Sequence, residues 1–297
     1  MTQLTTSSTQ PTSPSKRTYK RNAFQKLLRH RSGSIGFVLS SFFVLLALFG
    51  GFLAPYPPAQ ANYSAINQGM SAEYWLGTDN FGRDLLSRIL VGARYSIGVG
   101  VVASLLGAII GSLWGLWSGY VGGFWDVLSM RLVDVLLAFP GLLLAIGFIA
   151  ISGPGIVPLV LAASLFGMPI FARLARGATL SVKSRTYIEG ANVLGASPPR
   201  VMFQHILPNM IAPVLVYVSL RTGVTLLVAS GLSFLGLGIQ PPTPEWGAML
   251  SESQLYLPIH PLMAFVPGTA ITLAVLGFNL LGDGLRDVLD PTLSGEL

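Results

Sequence analysis

Between Tyr187 and Asn209 the chain reads YIEGANVLGASPPRVMFQHILPN, placing a carboxylate, an arginine and a histidine together in a sequence that is only 10% charged. These types could serve acid–base or metal chemistry, but their surroundings argue against both. The histidines, His30, His205 and His260, are far apart, and none has a second ligand four residues on, so no metal site is expected. There is no G-x-x-x-x-G-K-[S/T] loop to cradle phosphates. The lack of cysteine removes disulfides, thiolate ligands and Cys nucleophiles. We therefore expect no catalytic residue and no cofactor.

The stretch has a clear local form. Tyr187 to Leu194 is long enough for two helical turns. Gly195 suits the left-handed position after a helix, Ser197 an N-cap, and Pro198 the first position of a new helix. Two short helices are thus expected to meet at a bend, with Val201, Met202 and Ile206 forming an apolar strip on the second. On pattern alone this is a helical hairpin joining two apolar segments.

Those segments define the class. A 297-residue chain that is 52% hydrophobic, with positive mean hydropathy, lacks the polar residues to cover a soluble globule. The net charge of +6 does not point to nucleic acid, because the basic residues are not interleaved with aromatics. Residues 1–15 read as a disordered Ser/Thr/Gln/Pro tail, followed by the basic Lys16, Arg17, Lys20, Arg21, Lys26, Arg29 and Arg31. The apolar run at 35–55 is long enough to cross a hydrocarbon layer of ~30 Å and reads as an uncleaved first membrane helix. Further spans are expected at 95–119, 129–151, 155–172, 211–238 and 262–282, all helical because unpaired backbone cannot face lipid. The fold class is therefore all-α, a polytopic membrane protein with six spans.

Orientation follows from the basic residues. With a cytoplasmic N-terminus, the inner segments hold the seven just named plus Arg131, Arg173, Arg176, Lys183, Arg185, Arg200 and Arg286; the outer loops hold Arg83, Arg88 and Arg94. Both termini and the loop 173–210 are expected in the cytoplasm, with 56–94 and 239–261 outside. Four regions follow: a tail over 1–33, a first helix with its outer loop over 34–94, a main membrane domain over 95–290, and a short tail over 291–297.

Remaining features divide between packing and function. Ala103, Gly107, Gly111, Gly115 and Gly119 place a small residue at every fourth position, which lets helices approach closely. Pro140, Pro169 and Pro267 should bend their helices. Arg131 and Asp134 read as a local ion pair, and Asp283, Arg286, Asp287 and Asp290 as a solvated helix end. Arg221, well inside a span, should face the bundle or a wet cavity; lining a pathway, and structural pairing or snorkelling, both stay open.

The opening stretch also resembles the EAA loop of permease subunits in binding-protein-dependent ABC importers. Glu189, Ala191, Gly195, Leu207 and Pro208 match in register, whereas Gly190 stands where Ala is usual and His205 where an aliphatic residue is, with Ile206 beside it. The segments Trp75 to Ser96, Arg131 to Ala145, Leu232 to Gly247 and Asn279 to Pro291 are similar to the C-type partner of the B/C pair in dipeptide, oligopeptide and nickel permeases. The likeness runs over roughly residues 20–295.

This resemblance implies alternating access for peptides or similar small solutes. The implied partners are a homologous B-type permease, two cytoplasmic ATPases and an extracytoplasmic solute-binding protein. It implies ATPase coupling through Glu189, Gly190, Ala191, Gly195, Ala196, Ser197, Leu207 and Pro208. Asp79, Arg83, Pro244 and Trp246, in loops stiffened by turns and proline, would meet the binding protein. Nickel or another small solute is the alternative cargo within the family. An ion-coupled secondary transporter is the alternative of another class, although Arg131, Asp134 and Arg221 supply few intramembrane charges for it.

Overall fold

A computed structural model describes residues 25–28 and 30–289; the expected N-terminal tail, most of the basic run, Asp290 and the C-terminal tail lie outside them. Among the described residues there is no β-strand, and helices account for the apolar segments. We number them α1 (Arg31–Leu53), α2 (Leu85–Val121), α3 (Gly123–Ala138), α4 (Gly141–Ser152), α5 (Ile156–Lys183), α6 (Thr186–Val193), α7 (Pro198–Phe234), α8 (Trp246–Ser253) and α9 (Leu262–Leu289). Five of these, α1, α2, α5, α7 and α9, are long and apolar enough to cross a bilayer singly.

The sixth expected span is broken. The chain turns by 90° between α3 and α4, at Phe139 and Pro140. Proline disfavours helical backbone at the residue before it, and Phe139 duly adopts an extended conformation, φ −82° and ψ 140°. The pair counts as a crossing only if both halves are taken together.

Two expected boundaries move: α2 already begins at Leu85, so Arg88 and Arg94 belong to a helix and not to the outer loop, and α5 ends later than expected. Helix α5 continues to Lys183, so Arg173, Arg176 and Lys183 belong to a helix and not to the loop drawn over 173–210. Neighbouring helices hold them there. Arg176 forks onto Asp126 of α3 at 2.7 and 2.6 Å, and Lys183 donates to the Tyr120 carbonyl at 2.6 Å. Asp134 likewise pairs with Arg173 across to α5, and not with Arg131. An arginine preceding the acid is the weaker order for an intrahelical pair, which leaves Asp134 to the facing helix.

The small-residue stripe does the packing for which its spacing suits it. A side chain at Gly107 would come within 2.8 Å of the Ser164 carbonyl, and at Gly111 and Gly115 it would collide with the carbonyls of Met168 and Ala172. Helices α2 and α5 therefore touch backbone to backbone. A second core joins α1, α2, α8 and α9 around Phe43, Leu85, Ile97, Trp246 and Phe278.

Because the helices alternate in direction, one end of the bundle collects the starts of α1 and α7, the ends of α2, α5 and α9, and helix α6. A contact between His30 and Asp287 at 3.6 Å closes that end. The opposite end carries 54–84 and 235–261, including α8.

Candidate functional site: a bent coupling segment

Helix α6 ends as the sequence predicts. Gly195 has φ +80°, its N–H bonds the Asn192 carbonyl at 3.0 Å, and the Ala196 N–H bonds Ala191, also at 3.0 Å. This pair of bonds is a Schellman ending, and it reverses the chain within three residues. Ser197 then occupies the N-cap position without making a side-chain cap bond, and Pro198 begins α7.

The second helix is not short, contrary to expectation. It runs from Pro198 through a widened π-turn at Val201–Ile206 and on to Phe234. Pro208 explains the turn: it has no N–H to donate, and its ring would crowd the Gln204 carbonyl in a regular helix. The bond from the Leu207 N–H to the Met202 carbonyl, five residues back, relieves that crowding while the helix continues.

Burial divides the segment into an anchor and a display face. Ile188, Val201 and Ile206 are completely buried against Leu116, Ala175, Val182 and Met210. The Asn209 side chain bonds both the Tyr187 hydroxyl at 3.3 Å and the His205 carbonyl at 2.6 Å, clasping the two arms. On the other side, Glu189, Gly190 and Pro208 are exposed, Ala191, Ala196 and Leu207 are half-buried, and Val193 and Leu194 are 87% and 88% exposed. Sequence reasoning passed over Val193 and Leu194. Two aliphatic residues directly before the left-handed glycine were the available signal.

The residues expected to meet a binding protein are placed differently. Asp79, Arg83, Pro244 and Trp246 are all buried, so none offers its side chain to a docking protein in this conformation. Arg83 pairs with Asp79 at 2.5 Å and Glu252 at 3.0 Å, and Arg88 pairs with the same two carboxylates at 3.4 and 2.9 Å. Two cations and two anions thus share one dry site, where the charges are mutually satisfied. The Trp246 indole donates to the Ile89 carbonyl at 3.2 Å and meets Phe43 edge-on at 5.8 Å.

Beside it, Glu245 caps α8 by accepting from the Ala248 N–H at 2.8 Å, and accepts from the Ser96 hydroxyl at 3.0 Å. Burial pushes the Glu245 carboxyl above the usual glutamate range, against the lowering pull of the Gly247 and Ala248 amides and of Ser96 and Ser233.

Arg221 lies in the middle of α7. Its guanidinium rests 4.8 Å from the Phe166 ring of α5, and its buried Nε and Nη2 find no hydrogen-bond partner among the described residues.

A bent, anchored loop at one end of a helical bundle, with a sealed cap at the other, matches known proteins along most of its length. The family model described as binding-protein-dependent transport system inner membrane component matches residues 111–295. A second model, N-terminal TM domain of oligopeptide transport permease C, matches residues 18–69. The chain belongs to this permease family. It is 48% identical over 253 residues to the glutathione transport system permease protein GsiD of Escherichia coli O1:K1 / APEC, covering 85% of this chain and 84% of that one. The same identity and coverage hold for GsiD of Shigella dysenteriae serotype 1. The permease is thus a multi-pass inner-membrane subunit of an ABC importer for peptides or similar solutes.

Proposed function

We propose that the permease transmits ATP-driven motion through the bend at Gly195, with Val193, Leu194 and Glu189 seated in a groove on a cytoplasmic ATPase. The carrying observation is the contrast within six residues of chain: Ile188 is completely buried, while Val193 and Leu194 are 87% and 88% exposed at the basic end of the bundle. Apolar side chains held that far out by a fixed turn suit a partner pocket, because the turn has already lost the entropy that docking would otherwise cost. Glu189 adds a carboxylate for a charge-assisted bond.

In this reading the basic end, with both termini, faces the cytoplasm, as the distribution of arginine and lysine favours. Two ATPases and a homologous B-type permease complete the membrane complex, and a solute-binding protein delivers cargo to the opposite end. ATP binding draws the paired loops together; α7, continuous with the loop, carries the movement into the membrane, and the spans rock to open outward. Nucleotide hydrolysis belongs to the partner ATPases. Peptides of small size are the favoured cargo, with the glutathione named for the relatives as a specific candidate. Arg221 faces the solute path. Binding-protein contact falls to exposed loop residues such as Trp75 and Phe81, which are 69% and 43% exposed, in place of the four buried ones.

The test is Leu194→Asp in the complete complex. Loss of bound ATPase and of uptake, with the sister permease retained, is the expected result. Full ATPase retention with normal uptake would reduce the segment to a connector.

A further inference from the structure

We infer that a cavity at the end opposite the coupling bend is a socket for a primary ammonium group, filled by a lysine side chain of the docked solute-binding protein. This rests on the reading in which that protein docks at this end. The cavity encloses about 360 Å³, and its lining comes wholly from the segment 54–84 between α1 and α2, with Tyr56, Asn62, Glu73, Tyr74 and Asp84 as its polar wall. That wall carries negative charge and no cation. Among the described residues neither Glu73 nor Asp84 forms an ion pair, and the neighbouring Arg83 and Arg88 are both taken by Asp79 and Glu252. Asp84 is only 4% exposed. Its Oδ2 caps α2, accepting from the Ser87 N–H and hydroxyl at 2.8 and 2.6 Å, while Oδ1 accepts from no described residue and is not sealed within the protein. A carboxylate this deeply placed without a counter-ion is costly, and a cation entering the cavity supplies what it lacks.

The rest of the wall selects the kind of cation. The Tyr56 and Tyr74 rings lie 5.4 Å apart at 35° to each other, and the buried Tyr74 hydroxyl accepts from the Asn62 amide at 3.1 Å while donating to no described residue. Ring faces attract an alkylammonium, and the phenol and carboxylate oxygens accept from its N–H groups. A metal ion is served less well, because among the described residues no three His, Cys, Asp or Glu side chains are grouped to hold one. Desolvation first, then the Glu73 carboxylate, Tyr74 and the Asp84 carboxylate, pushes the Tyr56 phenol above its ordinary value, so the negative field reaches the ring that borders the cavity. A primary ammonium at this end has two sources, the binding protein and the solute it delivers. The cavity belongs to a loop segment outside the apolar spans, and the residues next to its lining, Trp75 and Phe81, are 69% and 43% exposed. That surface position favours a docking side chain over a solute in transit, and the long flexible stem of lysine suits a recessed acceptor.

The experiment measures docking of the ligand-free binding protein on the complete membrane complex, held in nanodiscs of phosphatidylcholine and phosphatidylglycerol, which carry no primary amine. Asp84→Asn, which keeps an N-cap for α2, should weaken docking about tenfold, the scale of one hydrogen bond to a charged group. Glu73→Gln, at an exposed position, should weaken it up to about fivefold. Surface lysines of the binding protein are then changed to methionine one at a time. One of them should reproduce the Asp84→Asn loss, and combining the two changes should lose no more than either alone. Equal docking by wild type and both variants overturns the inference, and so does a loss that adds to Asp84→Asn for every lysine. A loss seen only with the peptide-loaded binding protein assigns the ammonium to the solute and also overturns it.

A second readout needs no binding protein. n-Butylammonium chloride should raise the unfolding temperature of the wild-type complex above its value in sodium chloride at the same concentration, and should leave that of Asp84→Asn unchanged, because a ligand stabilises only the form that binds it. The same scans show whether the variants fold. No difference between the two salts removes the socket itself. A rise on a wild-type complex that docks no binding protein removes the docking reading, and with it the lysine, while leaving the ammonium site in place.

Discussion

Arg83 and Glu252, 169 residues apart in the chain, meet at 3.0 Å beneath the loop opposite the basic end. The pair joins the segment before α2 to helix α8, with Asp79 and Arg88 completing the site. Reversing Arg83 leaves Asp79 and Arg88, both buried, and the partly buried Glu252 unbalanced. Arg83→Glu should therefore cost about 3–5 kcal/mol, the usual penalty for breaking a buried pair. The measurement is thermal unfolding of the purified complex in detergent. Unchanged stability together with weakened binding-protein affinity would return Arg83 to the docking surface.

Gly195 and Gly190 make a paired test of the coupling bend. A Cβ at Gly195 meets no atom within 4 Å, so any penalty there comes from the backbone alone, at φ +80°. Gly195→Val should cost at least about 1–2 kcal/mol and turn α7's first residues away from α6. The spans should still insert and pair, while ATPase retention and uptake fall. Gly190→Ala, inside α6 and also in open space, should keep full activity and gain roughly 0.5–1 kcal/mol of helix stability. Co-purified ATPase and solute uptake are the readouts.

Gly115 is the position where the α2–α5 contact should be least tolerant. Gly115→Ala sets a methyl group against the Ala172 carbonyl, and neither backbone has room to yield without parting the helices. Yield of folded complex should drop sharply. Gly98→Ala, on the same helix but with nothing within 4 Å, should express normally.

Glu245 predicts a pH dependence at the end bearing α8. Its folded carboxyl titrates above the usual glutamate range because burial disfavours the charge. In the pH window between the unfolded and folded values, the folded state holds the extra proton. Stability is therefore fullest below the ordinary glutamate value, about 4.3, and declines as pH rises through the raised one. Glu245→Gln, which keeps one carbonyl oxygen to accept from the Ala248 N–H and can donate its amide to the Ser96 oxygen, should flatten that slope. Glu245→Ala should lose about 1 kcal/mol of cap and orphan the Ser96 hydroxyl. Hydrogen exchange of α8 across pH reads all three proteins.

The sequence by itself settled the class, because a chain this apolar has few ways to satisfy its backbone, and local rules govern helix ends. The left-handed Gly195, the start at Pro198 and the small-residue stripe of α2 were legible for that reason: each depends on neighbours within one or two turns. The break at Pro140 was legible as a bend but not as a right angle. Tertiary structure decided the rest. Whether Arg83 faces solvent depends on Glu252, 169 residues away, and whether Asp134 pairs with Arg131 or Arg173 depends on where α5 lies. The continuation of α7 past Pro208 required a turn held by buried Val201 and Ile206. Charges and prolines carry their consequences in the partners they find across the bundle, and a linear pattern specifies only the partners nearby.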